Sequence, residues 1–136
     1  MNPFILDTCA AMWVVEDEIS QAAIDALTER WRASIPTYVS PITAWEVGLL
    51  ASRGRFKSPH PPMKWFEYVL KLPNVRLAEL PPNVLLDASL LPGTPPRDPA
   101  DRIIAATARE FGFTVMTRDA ALLDYAKQGY LSALPC

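Results

Sequence analysis

Short apolar runs alternate with amphipathic segments along most of the chain, and this alternation limits the possible folds more than any other feature. The first run, Phe4-Ile5-Leu6, ends at Asp7-Thr8, which is typical of a buried strand followed by a helix start. Further strands are predicted at residues 37–40, 74–80 and 113–116, with a weak last strand near Tyr130-Leu131. Strands that alternate with helices indicate a mainly parallel sheet covered by helices on both faces, an α/β fold.

Apolar spacing and capping residues locate the helices. Asp98 followed by Pro99 is a strong helix start, and Gly112 predicts where that helix ends. Pro41 and Gly54 bound another helix in the same way. The predicted apolar stripes are Ile19, Ala23, Leu27 and Trp31; Ile42, Trp45, Leu49 and Leu50; and Trp65, Phe66, Val69 and Leu70, while a further helix opens at Pro81-Pro82 and ends near Leu91.

Composition excludes several classes of protein. With 136 residues, 50% hydrophobic and 21% charged, the chain is predicted to be one ordinary domain spanning residues 1–136. No apolar run approaches the roughly 20 residues of a membrane span, and no signal-peptide pattern is visible, so a cytoplasmic protein is expected. Cys9 and Cys136 cannot form a disulfide framework and are expected to be reduced and structural. The net charge of −2 predicts no general affinity for nucleic acid.

Two aspartates follow predicted strands, where a parallel sheet forms its ligand crevice. Asp7 comes directly after the first strand, and Asp119 comes shortly after the strand at 113–116. If the strands are parallel, both side chains reach the same edge of the sheet. Each is equally well explained as a helix N-cap, because Asp is among the preferred capping residues. A ligand role and a capping role therefore stay open for both.

Two further acids lie on apolar helix faces, where a solvated carboxylate is not expected. Glu46 is four residues after Ile42 and so shares its side of the helix. Asp101 is three residues before Ile104 and lies on the predicted core-facing row. A capping-type role is the alternative for Asp101, since negative charge in a first helical turn contributes about 0.3 to 1 kcal/mol.

The four acids are more informative together than singly. Ionised carboxylates held close together repel one another, and such a cluster persists when a cation neutralises it. Oxygen ligands favour Mg²⁺ or Mn²⁺. The pattern therefore predicts metal-assisted hydrolysis of a phosphodiester, with a carboxylate available to take a proton from water.

Four segments together resemble a known family, the PIN-domain ribonucleases, and among them the VapC-type toxins of toxin–antitoxin pairs. The segments are Ile5-Leu6-Asp7-Thr8, Trp45-Glu46-Val47, residues 98–108 (DPADRIIAATA) and Thr117-Arg118-Asp119. Each motif alone is weak, but the set is specific, spans nearly the whole chain and keeps the family's order of acids.

The resemblance implies a three-layer α/β/α domain with a central sheet of about five strands and a Mg²⁺ or Mn²⁺ pocket at its carboxyl edge. It assigns Asp7, Glu46, Asp101 and Asp119 to the family's acidic positions and adds Asp98 as a fifth acid beside the pocket. For Asp98, helix capping is at least as good an explanation.

Several small polar residues match positions that hold the carboxylates in the family. They are Thr8 and Thr117, with Ser40 at a comparable strand end; capping or turn bonding explains each equally well. Many relatives also have a histidine before the DPxDR segment, where this chain has Pro95-Pro96-Arg97. The single histidine, His60, is expected to have no catalytic role.

Basic residues offer a rim for RNA phosphates around an acidic centre. The main cluster is Arg53-Gly54-Arg55-Phe56-Lys57, in which Phe56 is available for base stacking, and Lys64, Arg97, Arg102 and Arg118 lie near other predicted loops or helix starts. An ordinary solvated surface is the alternative for each of them. Arg102, next to Asp101, could instead pair with an acid.

Several apolar residues are candidates either for the core or for a surface that binds a partner protein. Trp65, Tyr68, Val69 and the stretch Trp13-Val14-Val15 are predicted to be core rather than interface. If exposed, they would form a groove for a second copy or an antitoxin helix. The resemblance implies a homodimer and a cognate antitoxin.

The leading hypothesis is a Mg²⁺-dependent endoribonuclease that cuts structured RNA such as tRNA, as the toxin of a toxin–antitoxin pair. A housekeeping RNA-processing nuclease is the enzyme alternative. A noncatalytic, receiver-like signalling module is the alternative from another class, although the acidic pair, middle-strand phosphoacceptor and late lysine of a receiver cannot be located here.

Overall fold

The computed structural model describes residues 1–136 as seven helices and five strands. The strands are β1 Phe4–Leu6, β2 Thr37–Val39, β3 Val75–Leu77, β4 Thr114–Thr117 and β5 Ser132–Pro135. The helices are α1 Thr8–Glu16, α2 Gln21–Arg32, α3 Pro41–Ser52, α4 Pro62–Leu70, α5 Pro82–Ser89, α6 Pro99–Phe111 and α7 Ala120–Lys127. The predicted alternation of strands and helices is confirmed.

All five strands form one parallel sheet in the order β3-β2-β1-β4-β5. The chain builds β1 to β3 towards one edge and then adds β4 and β5 on the other side of β1. Leu6 is paired with Val39 of β2 and with Met116 of β4. The strand order therefore reverses between β1 and β4, and in open α/β sheets a ligand crevice lies at this point.

The central strand β1 is buried on both faces, which explains its uninterrupted apolar run. Phe4 and Leu6 belong to a cluster that also contains residues of α1, α2, α3 and α4. Ile5 belongs to a second cluster on the opposite face, formed mainly with α6 and α7. The predicted three-layer α/β/α fold with five strands is confirmed.

Side-chain caps begin the helices that follow β1, β2 and β4. Asp7, Ser40 and Asp119 are the N-caps of α1, α3 and α7. Asp98 caps α6, which ends at Gly112 with φ 73°, in the left-handed region that favours glycine. Each of these helices thus starts at the carboxyl edge of the sheet or close to it, and each brings at least one acid, as a cap or within its first two turns, to the crevice.

Two predicted apolar stripes are wrong in part. Trp31 and Trp45 are 57% and 53% exposed, whereas Ala23 in α2 and Val47 in α3 are buried. The spacing assigns a residue to a helix face but does not show which face meets the sheet. The last strand also lies later than predicted, at Ser132–Pro135, and Tyr130 stacks on Tyr125 ahead of it. None of the helices has the length and apolarity needed to cross a membrane.

Candidate active site

A cavity of about 410 Å³ opens at the carboxyl edge of the sheet, at the reversal of strand order. All five predicted acids line it: Asp7, Glu46, Asp98, Asp101 and Asp119. Its remaining lining residues are Thr8, Cys9, Trp13 and Arg118. Acids that are as much as 112 positions apart in the chain therefore share one pocket, as the topology argument predicted.

Asp7 is the most deeply buried of these acids, with 4% of its surface exposed. One carboxylate oxygen, Oδ1, accepts the backbone N–H of Ala10 at 2.8 Å, so the residue is also the cap of α1. The other oxygen, Oδ2, accepts the hydroxyl of Thr117 at the end of β4. Capping and pocket lining, which the sequence left as alternatives, are therefore combined in one side chain.

Thr117 joins Asp7 to Asp119. Its Oγ1 donates to Asp7 and accepts the backbone N–H of Asp119 at 2.9 Å. Asp119 in turn caps α7 through Oδ2, which accepts the N–H of Leu122 at 2.9 Å. The completely buried Thr117 thus holds the ends of two neighbouring strands in a defined relation.

Glu46 reaches the pocket from the second turn of α3. Its Oε1 accepts the hydroxyl of Thr8, the first residue of α1. The Thr8 oxygen also lies 3.2 Å from the hydroxyl oxygen of Thr43, which is fully buried one helical turn before Glu46. The contact between α1 and α3 is therefore made by hydroxyl groups at this point.

Asp101 and Asp98 enter from the start of α6. Asp98 caps the helix by accepting the N–H of Asp101 at 3.0 Å. The Asp101 side chain is half-buried, and Ile104, on the same side of the helix, is fully buried. The start of α6 thus brings a capping acid and an inward-facing acid to the cavity, as predicted.

Crowded negative charge and poor hydration raise the proton affinity of this pocket. Burial, followed by the charges of Asp98, Asp119, Glu46 and Asp7, raises the pKa of Asp101 to about 7. Burial also raises the pKa of Asp7 and of Glu46, against the lowering effect of their hydrogen bonds to Thr117 and Thr8. Three of the five acids are therefore costly to ionise together unless positive charge enters the pocket.

Cys9 and Arg118 complete the rim. Both cysteines are free, as expected; Cys136 is buried, whereas Cys9 is exposed and lines the cavity, so a structural role is not supported for Cys9. Desolvation and the surrounding carboxylates raise the pKa of the Cys9 thiol to about 11, which keeps it protonated. The Arg118 guanidinium lies over the Trp13 ring at 3.9 Å and donates to the backbone carbonyls of Glu18 and Cys136.

The donor set of the pocket suits Mg²⁺ or Mn²⁺, because carboxylate and hydroxyl oxygens predominate and the thiol is protonated. As placed, the side chains do not direct three or more ligands at a common point. Asp7 and Glu46 instead face the hydroxyls of Thr117 and Thr8. The residues fit the ion by chemistry, and bringing several carboxylates onto one ion requires side-chain rotation.

The predicted basic rim is only partly present. Of the predicted basic residues, Arg118 alone lines the cavity. Arg102 donates to the backbone carbonyls of Ala88 and Pro96 at 2.8 and 3.1 Å, so it ties α5 to the loop before α6 and pairs with no acid there. Phe56 is half-buried edge-on against Trp65, with ring centroids 5.7 Å apart, and is not free to stack on a base.

The aromatic residues also differ from expectation. Trp65 and Val69 are buried as predicted, but Tyr68 is 53% exposed because it faces away from the sheet on α4. Trp13 is half-buried and lines the cavity, which makes it part of the candidate site rather than of the core alone. His60 lies outside the acidic cavity, beside Lys57 and Tyr68 in another depression.

Thr43, Cys9 and Trp13 were not among the predicted site residues. The spacing of three between Thr43 and Glu46 on one helix was the available signal for Thr43, since such residues are neighbours on the helix surface. Cys9 and Trp13 follow Asp7 by two and six positions in α1 and reach the cavity because that helix starts at its floor.

Comparisons with known proteins agree with this fold. The PIN-domain family model matches residues 4–128. Ribonuclease VapC22 of Mycobacterium tuberculosis is 32% identical over 124 residues, which is 90% of this chain and 91% of that protein. A structure of VapBC2 from Rickettsia felis, bound to a promoter DNA fragment, is similar with a TM-score of 0.71 and 12% identity over 97% of each chain. A structure of FitAcB from Neisseria gonorrhoeae is similar with a TM-score of 0.55 and 18% identity over 96% of each chain.

Proposed function

The chain belongs to the PIN-domain family, and from that premise we propose that it is a divalent-metal-dependent endoribonuclease, the toxin of a toxin–antitoxin pair. The observation that carries the proposal is the cavity into which Asp7, Glu46, Asp98, Asp101 and Asp119 converge. The relative of 32% identity is named a ribonuclease, which supports RNA as the substrate class.

Mg²⁺ or Mn²⁺ would be held by Asp7 and Asp101, with Glu46, Asp119 and Asp98 as further ligands. Bound there, the ion would supply Lewis-acid stabilisation of the phosphate oxygens and activation of water. The chain itself supplies the order around the ion. Thr117 holds Asp7 against β4, and Thr8 holds Glu46 against α1, so that both carboxylates occupy defined positions before the substrate arrives.

A basic side chain at the rim of the pocket is available to contact an incoming phosphate. Arg118 is the one basic residue at the rim, and its guanidinium is held by two carbonyls and the Trp13 ring. We infer that it positions an incoming phosphate beside the acids. No lysine lines the cavity, which disfavours the receiver-like alternative, as does membership in the PIN family.

The proposed partners are structured RNA such as tRNA, a cognate antitoxin and a second copy of the chain. The antitoxin proposal is supported by the VapC relative and by the two-component VapBC2 complex of similar fold. The homodimer proposal is supported by exposed apolar side chains, among them Trp45 on α3 and Leu86 on α5. Sedimentation of the purified chain tests the dimer, with a monomer at all concentrations as the contrary result.

RNA cleavage in the presence and absence of EDTA tests the activity. Purified protein should cut tRNA with Mg²⁺, lose the activity in EDTA and regain it when Mn²⁺ is added. Asp7→Asn and Asp101→Asn should abolish cleavage, since each removes a charge from the pocket with little change in shape, and Asn at position 7 still caps α1. Asp25→Asn, in an exposed acid on α2, is the matched control and should cut like the original chain. Cleavage that is unchanged in EDTA, or in both pocket variants, would contradict the proposal.

Growth of cells that express the chain separates a toxin from a housekeeping nuclease. A toxin should arrest growth, whereas the Asp101→Asn variant, produced in the same amount, should not. A housekeeping enzyme would be tolerated although it cuts RNA in vitro. Co-expression of the reading frame next to the gene should restore growth if it encodes the antitoxin.

A further inference from the structure

Thr43 has an unusual place among the buried threonines of this protein. Thr107 in α6 is also fully buried, and its hydroxyl donates to the carbonyl of Ile103 four residues earlier, at 2.7 Å. Thr43 makes no equivalent bond, because the residue four positions before it, Val39, lies in strand β2 ahead of the helix, where its carbonyl accepts the N–H of Ala78 at 2.8 Å. Its hydroxyl instead faces Thr8 of α1 at 3.2 Å.

The direction of the hydrogen bonds among Thr43, Thr8 and Glu46 follows from the number of protons that the two hydroxyls carry. The Thr8 hydroxyl has one proton, and it is donated to Oε1 of Glu46. The Thr8 oxygen is then left as an acceptor, and the Thr43 hydroxyl beside it is the donor. The two hydroxyls form a chain in which Thr43 orients Thr8, and Thr8 holds the carboxylate of Glu46.

We propose that Thr43 is a positioning residue: by directing the hydroxyl of Thr8, it fixes one carboxylate oxygen of Glu46 and leaves the other to bind a metal ion that enters the pocket. The inference rests on the proposed metal-dependent function. A group that hydrogen-bonds a metal ligand commonly changes metal affinity and activity when it is removed, although it never touches the ion. Thr43 contacts Thr8 and not Glu46 itself. Replacing Thr43 should therefore weaken metal binding by about as much as the loss of one hydrogen bond.

Manganese binding, measured by calorimetry on the purified chain, tests the proposal without relying on activity. Thr43→Val keeps the shape of the side chain and removes the donor, and it should weaken Mn²⁺ binding about three- to tenfold, the range that one hydrogen bond supports. Thr43→Ser restores the hydroxyl and should bind Mn²⁺ like the original chain. Thr107→Val is the matched control, since it deletes a buried hydroxyl outside the pocket, and should not change the affinity.

A double-mutant cycle distinguishes positioning from a general loss of structure. If Thr43 acts through Glu46, then Thr43→Val should have no further effect on Mn²⁺ affinity in a Glu46→Ala background. An equal loss in both backgrounds, or no loss in either, overturns the proposal. Should Thr43→Val fail to fold, Thr43→Ala removes the same hydroxyl with a smaller side chain, and the same cycle decides.

The proposed function can fail separately. If the original chain binds no Mn²⁺ and cuts no RNA, then the metal-dependent function is wrong and the role of Thr43 falls with it. If the original chain binds Mn²⁺ and cuts RNA while Thr43→Val matches it in both, then only the role of Thr43 is wrong.

Discussion

The hydroxyl of Thr117 donates to Oδ2 of Asp7, and this bond joins residues that are 110 positions apart at the carboxyl ends of two neighbouring strands. The same oxygen accepts the N–H of Asp119, so one buried side chain contacts two of the five pocket acids. The relative position of these acids is therefore a property of the sheet itself and does not depend on a mobile loop.

Replacing Thr117 by valine tests this arrangement. The change leaves a buried carboxylate oxygen and the Asp119 N–H without their partner, which should cost about 1 to 3 kcal/mol of stability. Cleavage of RNA should fall about 10- to 100-fold, because a ligand loses the group that orients it. Urea unfolding and the kcat of RNA cleavage measure the two effects.

Thr114→Val is the matched control, in the same strand but at its other end, where the hydroxyl bonds to Ser132 at 2.9 Å. It should reduce stability and leave kcat unchanged. If both valine variants reduce kcat equally, then Thr117 has no special relation to the acids.

The stability of the metal-free protein should depend on pH through Asp101. Its pKa rises from the ordinary value of 3.8 to about 7 in the folded chain, so between these values the folded state binds a proton that the unfolded state has released. The free energy of unfolding in EDTA should therefore fall as pH rises through this range and should level off above it. The raised pKa values of Asp7 and Glu46 act in the same direction.

Denaturant titrations in EDTA at several pH values measure this dependence. Asp101→Asn has no proton to release at this position, so its stability should fall less steeply with pH and should exceed that of the original chain at about pH 8. Parallel pH profiles for the two proteins would contradict the assigned environment of Asp101.

Arg102 should contribute to folding and not to RNA binding. Arg102→Met removes two hydrogen bonds to the carbonyls of Ala88 and Pro96, and stability should fall by about 1 to 3 kcal/mol. The KM for RNA and its salt dependence should stay the same in the folded variant.

The neighbouring exposed residue Arg97 provides the comparison for Arg102. Arg97→Met should change stability by less than about 0.5 kcal/mol, as is usual for surface substitutions. A rise in KM with Arg102→Met that exceeds the rise with Arg97→Met would assign Arg102 to the RNA rim after all.

The sheet and the acids could be predicted because local signals and global topology agree at those positions. The apolar run of β1, the cap at Asp98 and the helix end at Gly112 are each set by nearby residues. Once the strands are parallel, Asp7 and Asp119 must meet at one edge of the sheet.

Other features depend on which surfaces pack together, and short-range patterns do not contain that information. Trp45 follows helical spacing yet points to solvent, and Phe56 packs against Trp65 instead of staying free. The contact between Thr8 and Thr43 requires the packing of α1 on α3, and the Ala88 carbonyl bound by Arg102 belongs to another helix, α5.

Anomalous scattering from crystals soaked in Mn²⁺ tests most directly whether the acids share a metal. We expect an anomalous peak inside the cavity, with carboxylate oxygens of Asp7 and Asp101 within about 2.0 to 2.4 Å of it, and no such peak in Asp101→Asn crystals. A cavity that stays without anomalous signal in the original chain, at a Mn²⁺ concentration that supports RNA cleavage, would contradict the account.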